Sequence, residues 1–331
     1  MKPFTYLRVE DPNQALAQLT LQGDTKFLAG GTNLIDLMKM GVETPAHLVD
    51  INRLPLASIE KLPAGKGIRL GALARNSDVA AHPLVRDGYP VLSQAILGGA
   101  SPQLRNAATI GGNLMQRTRC YYFTDPAFTQ CNKRDPGSGC GALNGFNRIH
   151  AVLGQSDRCI ATNPSDMNVA LAALDAVVRV RGPRGEREIP MADFHRLPGD
   201  TPHVDTNLQP DELITAVDLP ALRFARRSTY LKMRDRATYA FALVSVAAAL
   251  DLGANGTIRE ARIALGGVAH KPWRALDAER QLSGKPANES SFKAAAETAL
   301  ANAKGYPYNT FKIELAKRSI VRALATTATL A

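Results

Sequence analysis

Cys120, Cys131, Cys140 and Cys159 are the only cysteines of this 331-residue chain, and all fall between positions 120 and 159. Their spacing is C-x10-C-x8-C-x18-C. Thiols placed without a common purpose would scatter, so their gathering points to one shared ligand set. The intervening CNKRDPGSGCGALNG is rich in Gly, Pro, Asn and Ser. That composition favours turns and loops over a surface that could be buried. Such a segment folds by wrapping something. Four thiolates suit either a structural zinc ion or an iron–sulfur cluster. The paired C-x2-C knuckles of zinc ribbons are missing, so long loops must bring the ligands together. Spacing by itself favours iron–sulfur only slightly.

The rest of the chain supplies the frame for this insertion. Its length suits roughly two or three domains with an ample core, and 45% hydrophobic with 21% charged residues is ordinary for a globular protein. A net charge of +10 fits nucleic acid, an acidic partner, or an uneven surface covered in an assembly. The nearest thing to a basic arm is RFARR at 223–227, which is short and lies between strands, so nucleic-acid binding is not expected. MKPFTYLRVEDP has no apolar h-region, so no secretory signal is expected on this chain. AFALVSVAAAL at 240–250 is too short to span a bilayer and reads as a buried strand. No membrane insertion is expected.

Periodicity and turn residues divide the chain into three α+β parts. TKFLAGGTNLIDLMKMG (25–41) reads as strand, glycine turn and helix, and HLVDI (47–51) closes a βαβ unit within 1–55. A second part, 56–222, opens with IRLGALA and two helical stretches near 76–82 and 89–98, and carries the insertion at about 114–162. After the insertion, SDMNVALAALDA reads as a helix capped by Ser165 or Asp166. A hairpin VVRVRG/REIPM and the strand ELITAVDLP follow. The third part, 223–331, shows three strands and helical patterns at 273–281, 288–303 and 309–328.

Two glycine pairs stand where chemistry is expected. Ala29-Gly30-Gly31-Thr32-Asn33-Leu34 lies between a strand and a helix. Glycine permits positive φ and close approach, and free N–H groups at a helix start favour a phosphate. It is not the G-x-G-x-x-G fingerprint, which disfavours a Rossmann fold. Taken alone it reads as a tight turn with a helix cap. A second loop, Thr109-Ile110-Gly111-Gly112-Asn113, repeats the pattern. Two such loops could grip a dinucleotide from opposite sides. Asp166 could hold sugar or ribityl hydroxyls, or simply cap its helix. Lys232 could face the same cleft, or be a surface lysine.

The order AGGTNL, TIGGN, PSDMN, YLKMRDR and LGGVAHKP resembles the FAD-binding medium subunit of the molybdenum hydroxylase (xanthine dehydrogenase) family over essentially the whole chain. RTRCYYF, CNKRDPGSGC and CIATNPSDM are most similar to the FAD subunits of bacterial periplasmic aldehyde oxidoreductases, which carry a [4Fe–4S] insertion here. The medium subunit of 4-hydroxybenzoyl-CoA reductase is the competing resemblance, and a zinc-stapled module without flavin is the alternative from another class. The resemblance implies a PCMH-type FAD-binding domain of two α+β subdomains, then a C-terminal α+β domain of the CO dehydrogenase flavoprotein type. It implies FAD contacts from Lys26, Phe27, Leu28, Ala29, Gly30, Gly31, Thr32, Asn33, Leu34, Thr109, Gly111, Gly112 and Asn113. Asp166, Lys232 and Ile214 would lie at the ribityl chain and flavin ring, and the four cysteines would bind the [4Fe–4S] cluster. It further implies a small subunit with two [2Fe–2S] clusters, a large molybdopterin subunit that oxidises the substrate, and an external electron acceptor. No catalytic acid or base is expected here. Periplasmic location is expected through co-export with a signal-bearing partner, and cytoplasmic location otherwise.

Overall fold

The computed structural model describes residues 1–21 and 23–330, which form three sheets in succession. The first is parallel: β1 (Thr5–Arg8), β2 (Thr25–Leu28) and β3 (His47–Asp50), with β3 central. Helices α1 (Pro12–Leu21) and α2 (Leu34–Lys39) make the crossovers. The expected βαβ unit is therefore enlarged by β1 and α1. All four residues of β1 are exposed, so it carries no alternation that a sequence could reveal.

The second sheet is antiparallel. It orders β4 (Ile59–Lys61), β5 (Gly67–Gly71), β8 (Leu213–Pro220), β6 (Val177–Gly182) and β7 (Gly185–Pro190). Between β5 and the cysteine segment run α3 (Asn76–Ala81), α4 (Pro83–Arg86), α5 (Pro90–Gly98), α6 (Pro102–Ala107) and α7 (Ile110–Leu114). Three of these start on a proline, whose missing N–H costs nothing in a first turn. The cysteine segment contains α8 (Tyr121–Thr124), and α9 (Asp166–Ala173) follows it. Two sequence expectations change here. The TIGGN stretch is the short helix α7, capped by Thr109, rather than a loop. Ser165, not Asp166, caps α9, its hydroxyl accepting from Asn168 N.

The third sheet is β12-β11-β10-β9, with β9 (Ser228–Met233), β10 (Val244–Leu252), β11 (Ile258–Gly266) and β12 (Trp273–Arg274). The helix expected from 273 begins later, because Trp273 and Arg274 first pair with Leu265 and Ala264. Helices α11 (Leu276–Leu282), α12 (Glu289–Ala299) and α13 (Phe311–Thr329) complete the chain.

Strand β10 is buried on both faces, and its period of two explains how. Val244, Val246, Ala248 and Leu250 pack with Ile320, Ala323 and Leu324 of α13, while Ala247 joins the core around α9 and α5. Helix α9 is buried along its whole length, the pattern of a helix enclosed on all sides. Its approach to β11 needs Gly266, where a Cβ would lie 2.5 Å from Val169 Cγ2. The C-terminal part also reaches back to the cysteine segment. Buried Lys312 donates to the carbonyls of Ile149, His150 and Gly267 at 3.2, 2.8 and 2.5 Å, and Asn309 Nδ2 donates to His150 O and Ala151 O, both at 3.2 Å.

Candidate functional site

The glycine turn after β2 is held from below by a chain of polar contacts. Asp50 accepts from Arg8 Nε at 2.8 Å, from the Tyr6 hydroxyl, and from Asn52 N at 2.9 Å. Burial raises its pKa, but the hydrogen bonds from Tyr6, Asn52 and Arg8 outweigh this and hold it at about 2. Asn52 Nδ2 then donates to Ala29 O at 2.9 Å, and Arg75 bridges Asn52 Oδ1 (3.0 Å) and Ala107 O (2.5 Å). A Cβ on Gly30 would lie 2.0 Å from Ala107 O, so Gly30 allows two backbones to touch. Gly31 has φ +72°. Among the described residues the N–H groups of Gly31, Thr32, Asn33 and Leu34 find no backbone acceptor. Asn33 Oδ1 accepts from Arg117 N at 2.9 Å, whereas its buried Nδ2 has no partner.

These groups face a cavity of about 550 Å³. The first glycine turn, Thr109, Gly111 and Gly112 form two of its walls, and a third comes from His195, His203, Asp205, Thr206, Glu212, Ile214 and His270. The N–H groups of the second glycine pair are already used. Gly111 N donates to Ala72 O at 2.8 Å and Gly112 N to Thr109 Oγ1 at 3.1 Å. The open donors therefore belong to the first turn.

Of the residues expected at the site, Lys26, Phe27, Ala29, Gly30, Gly31, Thr32, Asn33, Leu34, Thr109, Gly111, Gly112 and Ile214 line this cavity. Leu28, Asn113, Asp166 and Lys232 are not among its lining residues. Asn113 Oδ1 accepts from Ser165 Oγ at 2.7 Å. Lys232 is no surface lysine: its Nζ lies 2.8 Å from Asp166 Oδ2 and 2.9 Å from Gly98 O, and both side chains are buried. Tyr230 donates to Asp166 Oδ1 at 2.5 Å, and burial, reinforced by that carboxylate, drives its hydroxyl pKa upward. Tyr230 and the 195–212 wall were not legible beforehand. The signal for Tyr230 was its place in β9 two residues before Lys232, on the same face; the wall is irregular chain with no motif.

All four cysteines are free, and together they line a second, smaller cavity. Cys131 and Cys140 stand opposite each other as an isolated antiparallel pair. Cys120, Cys131 and Cys159 pack with Leu37 of α2 and Phe123. His150 Nε2 lies 3.0 Å from Cys120 Sγ. Burial pushes the thiol of Cys120 up to about 12, that of Cys159 up to about 11 against the pull of Lys133, and that of Cys140 upward. Ionising such thiols needs a cation to replace the protons. Among the described residues no group of three or more His, Cys, Asp or Glu side chains is arranged to hold a single metal ion. A lone zinc would draw its sulfurs to about 2.3 Å from one point.

Buried charges lie between the two cavities. Lys133, with its side chain 1% exposed, contacts the Asp205 carboxylate, Pro202 O at 2.6 Å and His270 Nε2 at 2.6 Å. His270 Nδ1 therefore carries the ring proton toward Arg196 O at 2.8 Å, and burial beside Lys133 keeps the ring neutral, with its pKa lowered to about 4. Burial pushes the Asp205 carboxyl up, but Lys133 and Arg117 pull it down to about 2. Arg117 donates to Asp205 Oδ2 at 2.9 Å and to Glu43 Oε1 at 2.6 Å.

The family described as the FAD binding domain in molybdopterin dehydrogenase matches residues 2–222, and the CO dehydrogenase flavoprotein C-terminal domain matches 228–327. The chain belongs to the FAD-binding medium subunits of the molybdenum hydroxylases. This FAD subunit is 54% identical over 326 residues to the aldehyde oxidoreductase FAD-binding subunit PaoB of Escherichia coli K12, covering 98% of each chain. It is 31% identical over 290 residues to the glyceraldehyde dehydrogenase medium chain of Sulfolobus acidocaldarius, covering 88% of this chain and 84% of that one. Among solved structures it resembles a chain of carbon monoxide dehydrogenase from Hydrogenophaga pseudoflava, with a TM-score of 0.75, 28% identity and coverage of 98% and 97%. The FAD subunit fits its cofactor in physical terms too: a large cavity opens on unused N–H groups and an unpartnered buried amide.

Proposed function

We propose that this chain is the FAD-carrying electron-transfer subunit of a heterotrimeric, molybdenum-dependent aldehyde oxidoreductase, and that its four cysteines hold a [4Fe–4S] cluster. Its partners in this reading are a small subunit with [2Fe–2S] clusters and a large molybdopterin subunit. The observation that carries the reading is 54% identity, over 98% of both chains, to a subunit of an aldehyde oxidoreductase. The convergence of four free thiols, three of them buried, on one cavity supports the cluster.

When bound, FAD supplies the passage of electrons from the iron–sulfur partner to an external acceptor. The chain's own residues bind and orient it. Residues 26–34, with Thr109, Gly111 and Gly112, would hold the pyrophosphate and ribityl chain, the charge falling on the unused N–H groups of the first turn. Ile214 would offer an apolar surface to the flavin ring. Asp166 and Lys232, buried and paired with each other and fixed by Tyr230 and Gly98 O, do not line the cavity and are assigned no direct FAD contact. Cys120, Cys131, Cys140 and Cys159 would hold the cluster, with the His150 ring beside Cys120. Periplasmic location, reached with a signal-bearing partner, belongs to the same reading and is tested by cell fractionation.

Iron and flavin analysis of the anaerobically purified complex tests the assignment. Each single Cys→Ser change should remove about four irons per chain while the [2Fe–2S] signals persist. The loop-rich stretch between Cys120 and Cys159 should then become more protease-sensitive, because the group that joins its four thiols is gone. Loss of only two irons, or zinc in place of iron, would refute the cluster.

A further inference from the structure

The two cavities share one set of charged groups, and buried Lys133 stands at the centre of it. Lys133 comes from the cysteine segment, two residues after Cys131, and lines the smaller cavity. Its ammonium group contacts the Asp205 carboxylate and His270 Nε2, which both line the larger one. Arg117 makes a parallel link. Its guanidinium lies over the Phe123 ring at 4.6 Å, and Phe123 packs with Cys120, Cys131 and Cys159. The same guanidinium donates to Asp205 and Glu43, and its backbone N–H donates to Asn33 in the glycine turn.

The turn that carries Lys133 has little apolar support. Asn132 N donates to Gly139 O at 2.7 Å, and Asn132 Oδ1 accepts from Gly137 N and Gly139 N at 3.1 and 2.9 Å. Cys131 and Cys140 stand at its two ends, and its other anchors lie beside the remaining cysteines: Asn132 Nδ2 donates to Arg158 O at 2.9 Å, and Arg134 to Tyr122 O and Phe123 O at 2.7 and 3.0 Å. A group bound by those thiolates pins the turn at both ends and so fixes Lys133 against Asp205. Without it the turn is held by polar contacts to the rest of the cysteine segment and by those of Lys133 itself. Lys133 is then free to leave for water, and Asp205 and His270 lose the cation that sets that wall.

We propose that Lys133 is a positioning residue that couples occupancy of the thiol-lined cavity to the affinity of the chain for FAD. The proposal rests on the cluster reading for what fills the smaller cavity. Coupling of this kind is reciprocal, so FAD binding strengthens retention of the thiolate-bound group by the same factor.

The test measures FAD dissociation constants on the intact complex, by flavin fluorescence, together with iron content. Cys140→Ser and Lys133→Met should each weaken FAD binding on the order of tenfold. Lys133→Met should keep its iron. The double variant should bind FAD no more weakly than the worse single variant, because both act through one contact. Two purely structural defects would instead multiply. If Cys140→Ser fails to assemble, removing iron from the wild-type complex with a chelator gives the same comparison. Iron loss that leaves FAD affinity unchanged, or independent losses in the double variant, would overturn the coupling. FAD binding indifferent to Lys133→Met would overturn it as well. A wild-type complex whose only iron is that of the [2Fe–2S] clusters would overturn the cluster reading, and FAD affinity in Lys133→Met would still decide whether Lys133 sets the wall.

Discussion

Gly30 and Gly31 sit side by side and are required for different reasons. The sequence suggests that a side chain at Gly31 would crowd the phosphate and penalise a positive φ. Gly31 has φ +72°, and a Cβ there would also meet Ile35 Cγ1 at 3.0 Å and Leu28 Cδ1 at 3.4 Å. Gly31→Ala should cost about 1–2 kcal/mol through backbone strain and weaken FAD indirectly, by deforming the turn. Gly30→Ala forces the 107–108 backbone away and should cost more than about 2 kcal/mol. Thermal unfolding of the two variants should rank Gly30→Ala as the more damaging; the reverse order would contradict this account. Asp50 gives a pH dependence at the same scale. Its pKa of about 2 lies below the unperturbed 3.8, so folding gains from its ionised form. About 2 kcal/mol should be present above pH 4 and vanish as the pH falls through 2. Asp50→Asn should therefore be less stable than the wild type at pH 6, with the gap closing in acid when both are unfolded by urea.

Elements with strong period or explicit turn chemistry were legible in the sequence. The β6–β7 hairpin turns at Gly182-Pro183-Arg184-Gly185 as expected, and β10 reads correctly because a two-sided strand is one apolar run. The helix α7 was not legible, because its two glycines argue for a loop and only packing against β8 and α9 overrides them. Strand β12 was hidden for a related reason: its two residues sit at the head of a helical pattern. For the site, the cysteines and the first glycine turn announced themselves by composition. The 195–212 wall did not, since its histidines and Asp205 meet only in space. Packing of α9 on β11 can be tested directly. Gly266→Ala should destabilise by about 1–3 kcal/mol, since its Cβ would lie 2.4 Å from Ser245 Oγ and 2.5 Å from Val169 Cγ2. Adding Val169→Ala should restore part of that loss. No recovery in the double variant would mean that the helix does not set the distance.

At the scale of the whole molecule, the net charge of +10 fits a chain that works inside an assembly. Such a charge speeds and orients docking onto less basic partners more than it fixes affinity. In the proposed function this chain serves cofactors, and oxidation of the substrate belongs to the large molybdopterin subunit. The isolated chain loaded with FAD should therefore show no aldehyde-dependent dye reduction, whereas the complex should. Turnover by the isolated chain would overturn this division of labour.

Lys312 and Asn309 have a consequence in time as well as in space. They close onto the carbonyls of Ile149, His150 and Ala151, yet they are translated more than a hundred residues after Cys159. While the ribosome is still working, the thiol-bearing segment has its four sulfurs but not the floor beneath them. Any group the four thiols take up would therefore be enclosed only after residues 309–312 have been made.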